Sequence, residues 1–310
     1  MKGSQSVAVV TSIPPQITRS DGGRPVGNEY QNLCVRSWLK NGFQVLSVNA
    51  QDEAPALAGR FPAVRLMAVR RDARAIGGKR TPFIADMLQA LLATNASSLG
   101  IINADLVFEP DGSWHRLSEI LPGAVFALQR LDASSLLAGP LQPYMGFDGF
   151  FFDRTTASEL MRMATGFAIG LPWWDCWLPA AAVVTGRRFG IIRRPAVVHL
   201  SHPQAYDEAL HTLLAMTFAR FVAARGREAL PALIKECTEF VQLTAPPRPS
   251  PAHQQKVANA FAAAMGVWYP TLMQDTVDLR LKDNSIGLRA EMSPSLTAIF
   301  GSGFEERLRA

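Results

Sequence analysis

The stretch Leu99-Gly-Ile-Ile102-Asn103-Ala104-Asp105 decides the fold: four residues without a polar side chain run straight into a polar triplet that ends on a carboxylate. A run that is apolar at every position, instead of every second one, fits a strand buried on both faces, as in a parallel sheet covered by helices. Upstream, Ser6-Val-Ala-Val-Val-Thr11 has the same character and is closed by Pro14-Pro15. Phe43-Gln-Val-Leu-Ser-Val48 reads as the next strand, ending at Asn49, and Val64–Val69 as a weaker third. Between them, Tyr30–Asn41 places Leu33, Ser37 and Trp38-Leu39 on one face before an Asn41-Gly42 stop. Arg80–Thr94 repeats Phe83, Ile84, Met87, Leu88, Leu91 and Leu92 at helical spacing. Strands alternating with helices predict an α/β chain with a mainly parallel, mixed sheet flanked by helices. Ligands of such sheets sit outside the carboxyl ends of the strands. That rule puts Thr11–Pro15, Asn49 and Asn103–Asp105 on one rim.

Further along, Gly123–Leu128, Gly146–Phe152, Phe189–Ile192 and Ala196–Leu200 read as four more strands, and Thr155–Met163 as a short helix. The character changes after Pro203. Glu208–Ala224, Glu228–Leu243 and the alanine-rich Ala252–Met265 read as helices, with Ala245-Pro-Pro-Arg-Pro-Ser-Pro251 as a stiff linker. The expected organisation is an α/β unit over residues 1–206 and a mostly helical region over 207–310. The helices of that region are a candidate surface for a homo-oligomer.

With 48% hydrophobic and 18% charged residues in a chain of 310, a disordered polypeptide is excluded. The formal charge of +5 is spread along the chain. Its densest clusters are Arg70, Arg71, Arg74, Lys79 and Arg80, then Arg187, Arg188, Arg193 and Arg194. Neither is the dense, aromatic-interleaved stripe of a nucleic-acid binder, so the expected partner is an anionic small molecule and not a nucleic acid. No apolar run reaches the ~18 residues of a membrane span, because Phe167–Val184 is broken by two prolines and Asp175. Cys34, Cys176 and Cys237 form no CxxC pair. With no signal-peptide core ahead of the first strand, a cytoplasmic location is expected.

Familiar motifs fail. Gly78-Lys79 is not a phosphate-binding P-loop, since Ala73 stands where the first glycine belongs and Arg80 where a Ser or Thr would hold magnesium. No G-x-G-x-x-G follows the first strand, and no G-x-S-x-G or H-E-x-x-H is present. Four features remain. Asn103-Ala104-Asp105 ends its strand on an acid. Gly146-Phe-Asp-Gly-Phe-Phe-Phe-Asp153 carries Asp148 within a strand of aromatics. Phe167-Ala-Ile-Gly-Leu-Pro-Trp-Trp-Asp-Cys-Trp177 sets Asp175 among three tryptophans, and Val197-Val-His-Leu-Ser-His202 ends in two histidines.

In order and spacing these four resemble glycosyltransferases of the GT-A type, the nucleotide-diphospho-sugar transferase superfamily. The likeness is to a group with N-[SA]-D, G-x-D-x-F-x-F and W-D-x-W-L motifs, and it runs from Val7 to Tyr206. It implies transfer of a sugar from a nucleotide-sugar donor to a glycan or other hydroxyl acceptor, assisted by Mn or Mg. Asn103-Ala104-Asp105 matches the Asp-any-Asp triplet, which implies a divalent ion at Asp105, although Asn103 replaces the first acid. Thr11 falls by the nucleoside, as does the acidic pair Asp52-Glu53, and Asn49 belongs to the rim that takes the nucleotide. Lys79 and Arg80, at the start of the helix before the metal strand, fall near the phosphates; the alternative is a solvated helix start. His199 or His202 falls where a late histidine meets the metal or pyrophosphate. Of the two, His199 alternates with Val198 and Leu200 as a sheet residue, which leaves His202 as the ligand candidate.

Asp175 falls where inverting members carry the catalytic base, and Asp148 at a donor-sugar or acceptor contact. Asp175 also reads as a helix cap or a partner of buried tryptophans, and Asp148 as a strand-end turn residue. Trp173, Trp174 and Trp177 suit either a sugar face or a core. A non-catalytic module that binds a sugar nucleotide or glycan on the same fold is the competing class, favoured by Asn103. A nucleotidyltransferase would need a glycine-rich, lysine-containing loop after the first strand, which Thr11-Ser-Ile-Pro-Pro15 does not supply.

Overall fold

The structure, a computed structural model, describes residues 6–136, 140–164, 166–203, 207–225, 231–244, 250–272 and 275–281. Most of the expected linker, at 245–249, lies outside the described residues. The chain begins β1 (Val7–Thr11), a small hairpin of β2 (Ser20–Asp21) and β3 (Arg24–Pro25), α1 (Gly27–Lys40), β4 (Gln44–Ala50), α2 (Ala54–Leu57) and β5 (Arg65–Val69). It continues with α3 (Arg74–Gly77), α4 (Ile84–Leu92), β6 (Ser98–Ile102), β7 (Leu106–Phe108), α5 (Leu117–Ile120), β8 (Ala124–Ala133) and β9 (Gln142–Asp153). The remainder is α6 (Arg154–Met163), α7 (Trp174–Val184), β10 (Arg188–Leu200), α8 (Glu208–Arg225), α9 (Pro231–Leu243), α10 (Pro251–Leu272) and β11 (Asp275–Asp278).

The strands form one mixed sheet in the order β11-β10-β8-β9-β6-β1-β4-β5, with β7 paired to β10. The half built from β5, β4, β1 and β6 is parallel throughout. There, β1 and β6 are buried at every position, as their uninterrupted apolar runs require. β9 then runs antiparallel between β6 and β8. The α/β class and the mixed sheet agree with the sequence reading, and the arrangement is GT-A-like.

Two apolar cores lie on the two faces. One packs α1 and Trp114 against β1, β4 and β7. The other gathers α4, α6 and α7 together with side chains of α8, α9 and α10. The region after residue 206 therefore shares a core with the sheet and adds β11 to its edge beside β10.

Two local expectations need correction. The two strands expected at Phe189–Ile192 and Ala196–Leu200 are one strand, β10, with a register irregularity across Arg193-Arg194-Pro195. Proline donates nothing to the ladder, and pairing resumes beyond it at Val197. The helix expected from Arg80 starts at Ile84. Pro82 pushes Thr81 out of the helical region, so Lys79 and Arg80 lie on the connection between α3 and α4.

Candidate active site

Strand register assembles the site. Antiparallel pairing sets Leu106 of β7 beside His199 of β10, and parallel pairing sets His199 beside Asp132 of β8. Asp105, one residue before β7, thus reaches His199 Nε2 at 3.4 Å, while Asp132 holds the other ring nitrogen, Nδ1, at 3.2 Å. His202, just past the end of β10, brings its Nε2 to 3.8 Å from the same Asp105 oxygen. The ligand atoms of Asp105, His199 and His202 all lie within 4.8 Å of one another.

The triplet itself is fixed from behind by α1. The Tyr30 hydroxyl donates to the Asp105 carbonyl at 2.6 Å and accepts from the Leu200 N–H at 2.7 Å. Trp38 Nε1 donates to the Leu106 carbonyl at 2.8 Å. One buried helix face therefore holds the turn after β6 and the end of β10 together.

Asn103 has a different task from the one its place in the triplet implies. Its backbone N–H extends the β6–β9 ladder to the Asp148 carbonyl at 2.8 Å, and its side-chain amide donates to Asp148 Oδ1 at 2.6 Å. Arg130 of β8 pairs with the other Asp148 oxygen and with Asp132 at 2.7 Å, and its guanidinium stacks over Tyr144. Asn103, Asp148, Arg130, Asp132, His199 and Asp105 form one polar chain across four neighbouring strands and the turn at Asp105.

Charge follows from these contacts. Burial raises the Asp105 carboxyl, but the hydrogen bond and charge of His199, with Arg19 and His202, hold it well below the usual carboxylate range. Burial would lower His199, yet Asp105 and Asp132 push it up to about 9. His202 is lowered by burial.

A cleft of about 760 Å³ opens over this cluster, at the carboxyl ends of β1 and β6. Asn103, Asp105, Asp148, Lys79, Arg80 and His202 line it, together with Ser12, Pro14 and Glu53. Arg19, Arg74, Lys79, Arg80 and Arg130 face it against three carboxylates, Glu53, Asp105 and Asp148, so the lining is cationic. Asp52 does not line it but holds Arg74 at 2.9 Å and Arg80 at 3.4 Å, which braces the basic wall.

Thr11 and Asn49, expected on the nucleotide-binding rim, lie behind it and are fully buried. The Asn49 side chain is committed to the loop after β1: it donates to the Ile13 carbonyl at 2.7 Å and accepts from Ser47 at 2.6 Å. Its amide also reaches Glu53 at 3.2 Å, so it shapes the pocket through a neighbour.

Asp175 sits in the first turn of α7, half-buried and outside the cleft lining. Burial, and then the Asp148 carboxylate, push its carboxyl up to about 7. The tryptophans around it are core. Trp173 stacks between Phe218 and Phe261, Trp174 meets Phe150 edge-on, and Trp177 stacks on Phe167. None of the three lines the cleft, so the sugar-platform alternative gives way to the packing one.

Arg19 and Arg130 carry no local motif and were missed in the sequence. His199, the less favoured of the two late-histidine candidates, is a sheet residue as expected and also faces Asp105.

Fold and site together define a GT-A-like α/β protein with an acid–imidazole cluster in a basic cleft. Solved structures similar to this chain include the mannosyltransferase PcManGT from Pyrobaculum calidifontis in complex with GDP-Man and Mn2+. It is 15% identical, with a TM-score of 0.43, over 86% of this chain and 79% of that one. S. aureus TarS 1–349 in complex with UDP-GlcNAc is 9% identical, with a TM-score of 0.49, over 87% of this chain and 84% of that one. No protein-family model and no curated protein matches the chain in sequence. Among the described residues, no helix is long and apolar enough to cross a membrane.

Proposed function

We propose that this chain is a glycosyltransferase that moves a sugar from a nucleoside-diphosphate sugar to an acceptor hydroxyl. The observation that carries the reading is the Asp105, His199 and His202 cluster in a cationic cleft at the carboxyl ends of parallel strands. One carboxylate and two imidazoles suit a divalent ion such as Mn2+, with Mg2+ as the harder alternative. Asp132 holds the Nδ1 proton of His199, so the Nε2 proton is the one a divalent ion would displace to ligate there, and a carboxylate on the far nitrogen is the usual support for a metal-bound imidazole. Such an ion supplies Lewis-acid neutralisation of the departing diphosphate.

The protein's own groups do the rest. Lys79, Arg80 and Arg74 line the same cleft and take donor phosphate charge. Glu53, braced by Asn49 and followed by α2, contacts the nucleoside. Asp148, clamped by Arg130 and Asn103, orients a sugar hydroxyl. Asp175 stands outside the cleft lining but feels the charge of Asp148, which does line it, and its carboxyl is poised near neutral pH. As the proposed base it accepts the acceptor's proton as the acceptor oxygen bonds to the anomeric carbon and the bond to the diphosphate breaks. This is the inverting course.

The test is thermal denaturation with UDP, GDP, ADP, CDP and dTDP, each with and without Mn2+. A ligand of the native state raises the melting temperature. One nucleotide should raise it by several degrees with Mn2+ and much less with a chelator. A flat response to all five in Mn2+ would overturn the reading. Transfer from the matching nucleotide sugar then separates an enzyme from a binding module.

A further inference from the structure

The Asp105 oxygen that faces both histidines also carries a third contact. Arg19 Nη2 lies 2.5 Å from Asp105 Oδ2, the same atom that His199 and His202 approach at 3.4 and 3.8 Å. A divalent ion on this cluster and the Arg19 guanidinium would therefore claim one oxygen. Two cations so close repel strongly in a half-buried site unless an anion stands between them.

Arg19 is built to yield. Its backbone is pinned: Val26 N–H donates to the Arg19 carbonyl at 2.9 Å, and Gly27 packs so tightly that a Cβ there would fall 1.8 Å from the Ile17 carbonyl oxygen. Its side chain is only lightly held. Beyond Asp105, Nη1 reaches just the Thr18 carbonyl next to it in the chain, and Nε is buried with no partner among the described residues. Residues 16–19 form a wall between the main cleft and a second cavity of about 940 Å³, which leaves the side chain room to turn. The guanidinium already faces the cleft, and its planar fork matches a diphosphate better than a single carboxylate oxygen.

We propose that Arg19 competes with the divalent ion for Asp105 and passes its contact to the donor diphosphate, so that ion and nucleotide bind cooperatively. This rests on the reading of Asp105, His199 and His202 as an ion site. By linkage, the nucleotide must strengthen ion binding by the factor by which the ion strengthens nucleotide binding.

The experiment is a Mn2+ titration of the full chain followed by the electron paramagnetic resonance signal of the free ion. Wild type, Arg19→Gln and Arg19→Met are each titrated alone and with saturating UDP or GDP. Two variants are measured so that one unstable protein does not end the test. Removing the competitor should tighten binding of Mn2+ alone by about tenfold, the scale of one charge-assisted contact. The same change should shrink the enhancement that the nucleotide gives in wild type. Unchanged or weaker binding of Mn2+ alone in both variants overturns the proposal. If Mn2+ binds no protein under any condition, the ion site itself falls and this proposal with it. Tighter Mn2+ in the variants without any nucleotide effect keeps the competition at Asp105 and removes the diphosphate transfer and the donor reading.

Discussion

Asn103 shows how a single side chain can be decided by its neighbour. At 2.6 Å from an Asp148 oxygen, an amide donates a hydrogen bond where a carboxylate would only repel. Asn103→Asp is therefore expected to cost about 1–3 kcal/mol, the scale of a lost buried hydrogen bond. Forced beside Asp148, one of the two acids keeps its proton above the usual carboxylate range. The loss should be full above the raised folded value, fade as the pH falls from there to the unfolded carboxylate value and be gone below it, which melting temperatures from pH 3 to 8 would show.

Asp175 allows a sharper test of the same kind. Its carboxyl titrates at about 7 in the fold, against ~3.9 in an unfolded chain. Between those values the folded protein keeps a proton that the unfolded chain releases. Wild-type stability should thus fall as pH rises from about 4 to 7 and then level off. Asp175→Asn removes that slope and should melt above wild type at pH 8. Its turnover should drop by ~10²–10⁴ with nucleotide affinity unchanged, while wild-type kcat rises through pH 7. Normal turnover of the variant at pH 8 would take Asp175 out of the mechanism.

The elements divide into those that local pattern reveals and those that register alone creates. β1 and β6 were legible because strands buried on both faces are written as nearly unbroken apolar runs, and β4 because Val45, Leu46 and Val48 lie close together before Asn49. Asp105 and His202 stood out because each lies within three residues of a strand's carboxyl end. The meeting of Asp105, His199 and Asp132 was not, since it depends on β7 pairing antiparallel to β10 and on β10 running past Pro195. Nothing local in Arg130 or Arg19 announces a partner 18 or 86 residues away. Helix α1 reads as ordinary packing, yet Tyr30 couples its buried face to the site. Tyr30→Phe keeps the ring and deletes both hydrogen bonds that its hydroxyl makes. The expected cost is about 1–3 kcal/mol in chemical denaturation, from the bond lost and the buried Leu200 N–H left over. Because the same hydroxyl holds the Asp105 backbone, Mn2+ affinity should fall with it. A variant that loses stability but binds Mn2+ as wild type would confine Tyr30 to packing.

At the scale of the whole molecule, the question is whether residues 207–310 are an attachment or part of the fold. Trp173 bears most on the answer. Its backbone takes the left-handed conformation, with φ at 73°, at the start of α7. A tryptophan pays for that conformation only where its surroundings hold it there. Here they do: the ring stacks on Phe218 of α8 at 5.4 Å and Phe261 of α10 at 5.3 Å, and its Nε1 donates to the His211 carbonyl at 3.1 Å. The turn that sets Asp175 at the head of α7 is thus held by helices from beyond residue 206. At the sheet edge, β11 covers the ladder positions of β10 from Gly190 to Arg194. A chain ending at residue 206 would bare both the face under Trp173 and that strand edge, and exposed apolar faces and open edges drive association. It should therefore aggregate or melt far below the full chain, and the full chain should unfold in one calorimetric transition. A monomeric 1–206 chain with the full-length melting temperature would show instead that the α/β unit folds alone and that the helices only dock on it.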